Sequence, residues 1–183
     1  MSMISATDAE ALARDLLAEE LPRRWAHSQC VASRARELAV VLGPEAELVE
    51  VASWLHDIGY ASTIKVTGFH PLDGARYLRD VAGVDERVCR LVAHHTCAVI
   101  EAAERGIATL AEEFAPSRQD LLDALTYCDL TAGVDGRPVD VDERLNEILS
   151  RYPVDHVVHR SVTRAKPVLL ESARNVRRRL AAG

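Results

Sequence analysis

The sequence is poor in aromatic residues and cysteines, and each shortage excludes a class of protein. Aromatic side chains make up 4% of the 183 residues, while Ala, Leu and Val dominate the apolar 48%. A core of small aliphatic side chains favours packed helices. The cysteines have no CxxC spacing, which argues against a zinc knuckle or a disulfide framework. They are Cys30, Cys89, Cys97 and Cys128.

The chain also lacks any apolar run long enough to cross a bilayer, and its first thirty residues do not have the pattern of a secretory signal. We therefore expect a cytoplasmic protein with no membrane partner. A net charge of −6 argues against general nucleic-acid binding. The length is typical of one domain that buries its own core.

Apolar residues recur with helical spacing along nearly the whole chain, and no segment alternates as a strand does. Thr7 and Glu10 have the spacing of a capping box, and Pro71 is suited to the first turn of a helix. The pattern predicts an all-α, compact single-domain helical bundle. Its later helices are predicted at 22–42, 45–57, 71 onward, 85–104, 118–131, 140–151 and 157–180.

Several ionisable side chains lie on the apolar stripes of these predicted helices. The set comprises His27, His56, His95 and Asp129, with Asp57 and His94 adjacent to two of them. Buried imidazoles and carboxylates are unfavourable unless they are paired or bind a cation. A metal centre with nitrogen and oxygen ligands explains the pattern, and it suits iron, manganese, zinc or, less readily, magnesium.

Each of these residues also has a simpler interpretation. A single histidine on an apolar stripe is more often a hydrogen-bonded core residue, and His56 with Asp57 is compatible with a helix-end pair. His70 precedes Pro71 and could merely begin a helix. His94 and His95 point about 100° apart, so the sequence leaves open which one faces the core, although the stripe favours His95.

The ordered set His27, His56-Asp57 and Asp129, with "IG" after the HD pair, resembles the HD-domain metal-dependent phosphohydrolases over about residues 20–135. The resemblance implies that these four residues hold a first ion and that Asp57 bridges to a second. His70 in "HPLDGA" and the "HHT" at His94-His95 resemble the two-metal branch. Within it, the nearest likeness is to bacterial symmetrical dinucleoside-tetraphosphate hydrolases, because Arg24 precedes His27 by three. Two other activities are disfavoured, since the acidic pair of alarmone hydrolases and the GYP motif of cyclic-di-GMP phosphodiesterases are absent.

The expected function is hydrolysis of a phosphate ester or anhydride of a nucleotide or related small metabolite by metal-activated water. The predicted catalytic residues are Asp57, Arg24 and Lys65, and the predicted substrate-binding residues are Arg24, Lys65 and Arg76. We expect two ions per chain, iron or manganese, with zinc, magnesium or nickel as alternatives. Alternative functions are a di-iron oxygenase and a non-catalytic regulatory protein that binds metal.

A single HD domain is expected to span residues 1–183. Its metal-binding core covers about 20–135, and a C-terminal helical extension covers about 140–183. The sequence leaves open whether the chain forms a homodimer.

Overall fold

A computed structural model describes residues 4–182, and all regular elements in that range are helices. The α-helices are α1 Ala6–Leu17, α2 Pro22–Glu37, α3 Ala39–Leu42, α4 Ala46–Leu55, α5 His70–Asp80, α6 Glu86–His94, α7 Ala98–Glu104, α8 Leu110–Glu113, α9 Gln119–Leu130, α10 Val141–Arg151 and α11 Val157–Ala182. Short 3₁₀ turns cover Gly43–Glu45, Ile58–Tyr60 and His95–Cys97. The all-α prediction is confirmed. One isolated β-bridge pairs Ala132 with Pro138.

Helix α4 lies at the centre of the bundle, where α1, α2, α6 and α9 pack around it. It is apolar on nearly every side, from Leu48 to Leu55, which is the pattern of a fully buried helix. One apolar core therefore fixes the positions of α2, α4, α6 and α9 relative to one another. No helix within residues 4–182 combines the length and the hydropathy that a membrane crossing requires.

Helices α10 and α11 have a smaller core of their own. It consists of Leu130, Val141, Leu145, Ala165, Leu169 and Ala173. Helix α11 packs along α9, α7 and α10. This second cluster therefore holds α10 and α11 against the end of α9.

Three predicted helix boundaries were wrong. Ser5 is the N-cap of α1 and accepts the Asp8 N–H, so Thr7 lies inside the first turn and forms no capping box. The predicted helix 22–42 is broken at Leu38 into α2 and α3. The predicted helix 85–104 is interrupted after His94, where Thr96 and Cys97 have φ values of 51° and 58°. L residues seldom adopt that conformation, so the sequence carries no signal for the break.

Candidate metal centre

The structure brings six of the predicted ligand residues together from five helices. They form two groups, each with ligand atoms within 4.8 Å of one another: His27, His56 and Asp129, and Asp57, His70 and His95. His27 is on α2, His56 and Asp57 follow α4, and His70 begins α5. His95 follows α6, and Asp129 is near the end of α9.

In the first group, backbone carbonyls fix the orientation of both imidazoles. His27 Nδ1 is 3.2 Å from the Gly133 carbonyl oxygen, and His56 Nδ1 is 2.8 Å from that of Ser53. A carbonyl can only accept, so each Nδ1 carries the proton and each Nε2 presents a lone pair. His27 Nε2 faces Asp129 Oδ1 at 2.9 Å.

In the second group, a backbone carbonyl orients one of the two imidazoles. His95 Nδ1 is 2.7 Å from the Val92 carbonyl oxygen, so His95 Nε2 also presents a lone pair. It faces His70 Nε2 at 3.2 Å, and His70 Nε2 is 3.4 Å from Asp57 Oδ1.

Asp57 lies between the two groups and turns one oxygen toward each. Its Oδ1 faces His70, while its Oδ2 is 3.5 Å from His56 Nε2 and 4.0 Å from His27 Nε2. A carboxylate can bridge two cations in this way, whereas an imidazole nitrogen cannot.

The protonation states suit metal binding. Burial lowers the pKa of His56 and holds that of His70 well below its usual value. Burial alone would raise the pKa of Asp57, but Arg24 and the surrounding imidazoles together hold it well below its usual range. The pKa of Asp129 is likewise lowered, against the effect of burial, by its contact with His27 and by His56. Neutral imidazoles and ionised carboxylates are the forms that bind divalent cations.

One buried atom tests whether these residues fit a metal ion. His56 Nε2 is completely buried and has no hydrogen-bond partner among the described residues. A buried polar atom without a partner is unfavourable by about 1–3 kcal/mol, and a cation on its lone pair removes that penalty. The donor set therefore fits a divalent ion bound by nitrogen and oxygen.

Gly59 allows α5 to approach the HD pair. A Cβ at this position would lie 2.1 Å from the His70 carbonyl oxygen and 2.7 Å from the Gly74 nitrogen. Only glycine permits such an approach. The "IG" after Asp57 therefore has a physical role, because it brings the start of α5, and with it His70, beside Asp57.

The two adjacent histidines face different partners. His94 lies outside both ligand groups, and its Nε2 donates to the Phe114 carbonyl oxygen at 2.6 Å. Thr96, two residues after His94, has the left-handed backbone conformation described above. Its hydroxyl donates to Asp129 Oδ2 at 2.5 Å. Thr96 thus orients Asp129 so that Oδ1 faces His27.

Of the three predicted cations, only Arg24 reaches the centre. Its Nη1 donates to Asp57 Oδ2 at 2.7 Å, and its guanidinium lies 3.7 Å from the ring centroid of Tyr60, which stacks on His70. Lys65 is exposed and does not line the cavity at Asp57. Arg76 is also outside it, because Glu113 binds its guanidinium at 2.6 Å on another face.

Helix α10 contributes residues that sequence reasoning missed. Arg144 and Arg151 line the same cavity as Asp57, His70 and Asp129. A signal was present, since residues three, four and seven apart share a helix face and Glu147 lies between the two arginines. The spacing alone does not predict whether that face of α10 points toward the ligand groups or toward solvent.

Fold and site together define an all-α protein with a histidine and aspartate cluster capable of holding divalent metal. Residues 24–129, more than half of the chain, match the HD domain family, and the chain belongs to that family. Membership is consistent with a metal-dependent phosphohydrolase, since HD domains bind divalent metals.

One curated relative is Ribonuclease Y of Rubrobacter xylanophilus, 32% identical over 93 residues. The match covers 51% of this chain but 18% of the relative, so this chain corresponds to a small part of that protein. No solved structure gives a significant match.

Proposed function

We propose that this chain is a metal-dependent phosphohydrolase that cleaves a phosphate ester or anhydride of a nucleotide or a related small metabolite. The observation that carries the proposal is the pair of ligand groups joined by Asp57, with the lone pair of buried His56 Nε2 otherwise unused. A centre of this kind is suited to phosphoryl chemistry, because both attacking and leaving oxygens need neutralisation.

We propose two ions per chain, iron or manganese, held by His27, His56 and Asp129 on one side and by His70 and His95 on the other, with Asp57 shared. Divalent cations supply Lewis acidity and lower the pKa of a bound water to about 7. The backbone carbonyls that bind Nδ1 of His27, His56 and His95 keep these ligands oriented without further reorganisation.

Arg24 is the proposed contact to the phosphate. It is partly buried, stays charged because Asp57 outweighs the effect of its burial on its pKa, and lines the cavity beside the ligand groups. A guanidinium in this position neutralises charge that accumulates on phosphate oxygens. Tyr60, stacked between Arg24 and His70, keeps both side chains in place.

Two further points bear on the substrate. The curated relative is a ribonuclease by name, an enzyme acting on RNA, which supports hydrolysis at phosphate. Here the cavity at the ligand groups has a volume of about 120 Å³ and the net charge is −6, which favours a small phosphorylated molecule over a long RNA. The likeness to dinucleoside-tetraphosphate hydrolases supports a nucleotide anhydride within that class.

The test is a substrate screen with the metal-loaded protein. The panel contains nucleoside mono-, di- and triphosphates, dinucleoside polyphosphates, p-nitrophenyl phosphate and a short RNA, with released phosphate and chromatography as readouts. We expect metal-dependent release from a small phosphorylated substrate that Asp57→Asn abolishes. No turnover of any phosphate compound, or oxygen uptake with an organic substrate, would contradict the proposal.

A further inference from the structure

Two cavities open beside the ligand groups, and they share two arginines. The first, of about 120 Å³, contains Asp57 and Asp129. The second, of about 200 Å³, is lined by Arg23, His27 and Glu147. Arg24 and Arg151 line both, so the space beyond the ligand groups continues past these two guanidinium groups.

The wall of this space on α10 carries more positive than negative charge. Glu147 accepts from Arg144 Nη1 at 2.6 Å and lies 2.7 Å from Arg151 Nε. One carboxylate therefore holds two guanidinium groups, which fixes their positions and leaves one positive charge unbalanced. Exposed Arg23 adds another at the rim of the second cavity.

Arg144 supplies an independent sign of a ligand. Its side chain is 5% exposed, and its Nε is buried with no hydrogen-bond partner among the described residues. A buried guanidinium that only one carboxylate holds is unfavourable, and an anion in the cavity that Arg144 lines would reduce that penalty.

We propose that these arginines form a subsite for a second phosphoryl group of the substrate. The inference rests on the proposed function and narrows its substrate class to compact molecules with two neighbouring phosphoryl groups, a diphosphate or a bisphosphate. One group lies at the ligand residues, and the other lies between Arg24 and Arg151. The N–H groups of these arginines that Glu147 does not bind can donate to phosphate oxygens. A phosphoryl group, with more oxygens and a larger negative charge, gains more from them than a single carboxylate does.

The test measures binding by titration calorimetry on the metal-loaded protein, with three non-hydrolysable probes. Methylenediphosphonate carries two phosphonates, phosphonoacetate replaces one with a carboxylate, and methylphosphonate has one alone. We expect wild type to prefer methylenediphosphonate over methylphosphonate by about tenfold or more, with phosphonoacetate between them. Arg151→Ala should lose that preference while keeping its metal content. Arg144→Lys, which keeps the charge but not the planar fork, should lose part of it.

The matched control is Arg174→Ala, because Arg174 is also held by a single glutamate, Glu171, but lies outside both cavities. It should keep the wild-type preference. A preference that persists in Arg151→Ala arises from chelation at the ligand residues alone and overturns the subsite. Equal binding of methylenediphosphonate and methylphosphonate by wild type overturns the subsite as well. Because no turnover is measured, failure of the hydrolase proposal in the substrate screen remains a separate result.

Discussion

The segment matching the HD domain and the C-terminal helices contribute to one cleft in different ways. Between Arg24 and Asp129, the ligand side chains are mostly buried, and backbone carbonyls fix three of the four imidazoles. On α10, the contributing side chains are arginines held only by the carboxylate of Glu147. If the proposed function holds, the first region supplies the metal ligands, and the second contributes charged groups that can vary without disturbing those ligands.

The two regions also have separate apolar cores. The main core surrounds α4, whereas α10 and α11 pack through the smaller cluster beside Leu130. A substitution in one core should therefore leave the other region's role intact, and variants in each region can test this division.

The largest effect is expected at Asp57, the residue shared by both ligand groups. Asp57→Ala and the isosteric Asp57→Asn remove a negative charge that faces two sets of imidazoles and Arg24. We expect loss of bound metal and a fall in turnover of about a thousandfold or more. Elemental analysis and the substrate assay measure both. A metal-replete, active Asp57→Asn protein would remove the basis for a shared carboxylate.

The adjacent histidines provide a matched pair. His95→Ala should lose one ion and reduce turnover by about a hundredfold, because its Nε2 faces His70. His94→Ala should retain both ions but lower the free energy of unfolding by about 1–3 kcal/mol, since the Phe114 carbonyl loses its buried donor. Metal analysis and urea unfolding distinguish the two variants. The reverse pattern would place the ligand at His94.

A smaller effect is expected at Thr96, which orients Asp129 from outside the ligand set. Thr96→Val removes the hydroxyl that donates to Asp129 Oδ2. We expect metal affinity and turnover to fall by about 10- to 100-fold, as for other outer ligand partners. Thr96→Ser keeps the hydroxyl and should restore most of both. Equal losses in the two variants would show that the backbone, and not the hydroxyl, matters.

The smallest effect on turnover is expected in the second core. Leu145→Ala empties a buried site on α10 and should lower the free energy of unfolding by about 2–4 kcal/mol. Metal content should stay unchanged, while KM rises severalfold because Arg144 and Arg151 lose their fixed support. Half-exposed Val168 on α11 supplies the control. Val168→Ala should leave the free energy of unfolding, the metal content and KM close to those of wild type. Loss of metal in Leu145→Ala would contradict the separation of the two regions.

Much of the fold could be predicted because it follows from local periodicity, and the same periodicity singled out part of the ligand set. His27, His56 and Asp129 continue apolar stripes, and in the structure the stripes bring them together. The stripe favoured His95 over His94 without deciding between them, because the backbone there is set by a break at Thr96 and Cys97 that residue type does not signal.

Apart from Arg24, the cationic residues at the cleft could not be predicted by closeness in sequence. Lys65 lies between Asp57 and His70 in the chain, yet Asp73 binds the backbone of 66–68 and the lysine remains exposed. Arg144 and Arg151 reach the cleft from α10 because the second core sets the orientation of that helix. The spacing of residues along the chain does not predict such packing between distant segments.

The most direct test of the account is the number of divalent ions per chain, measured by elemental analysis of purified and metal-loaded protein. The central claim is that two ligand groups joined by Asp57 each hold an ion. It predicts two ions in wild type and one in His95→Ala. A single ion in wild type after loading with excess metal, unchanged in His95→Ala, would contradict it and return His70 and His95 to structural roles.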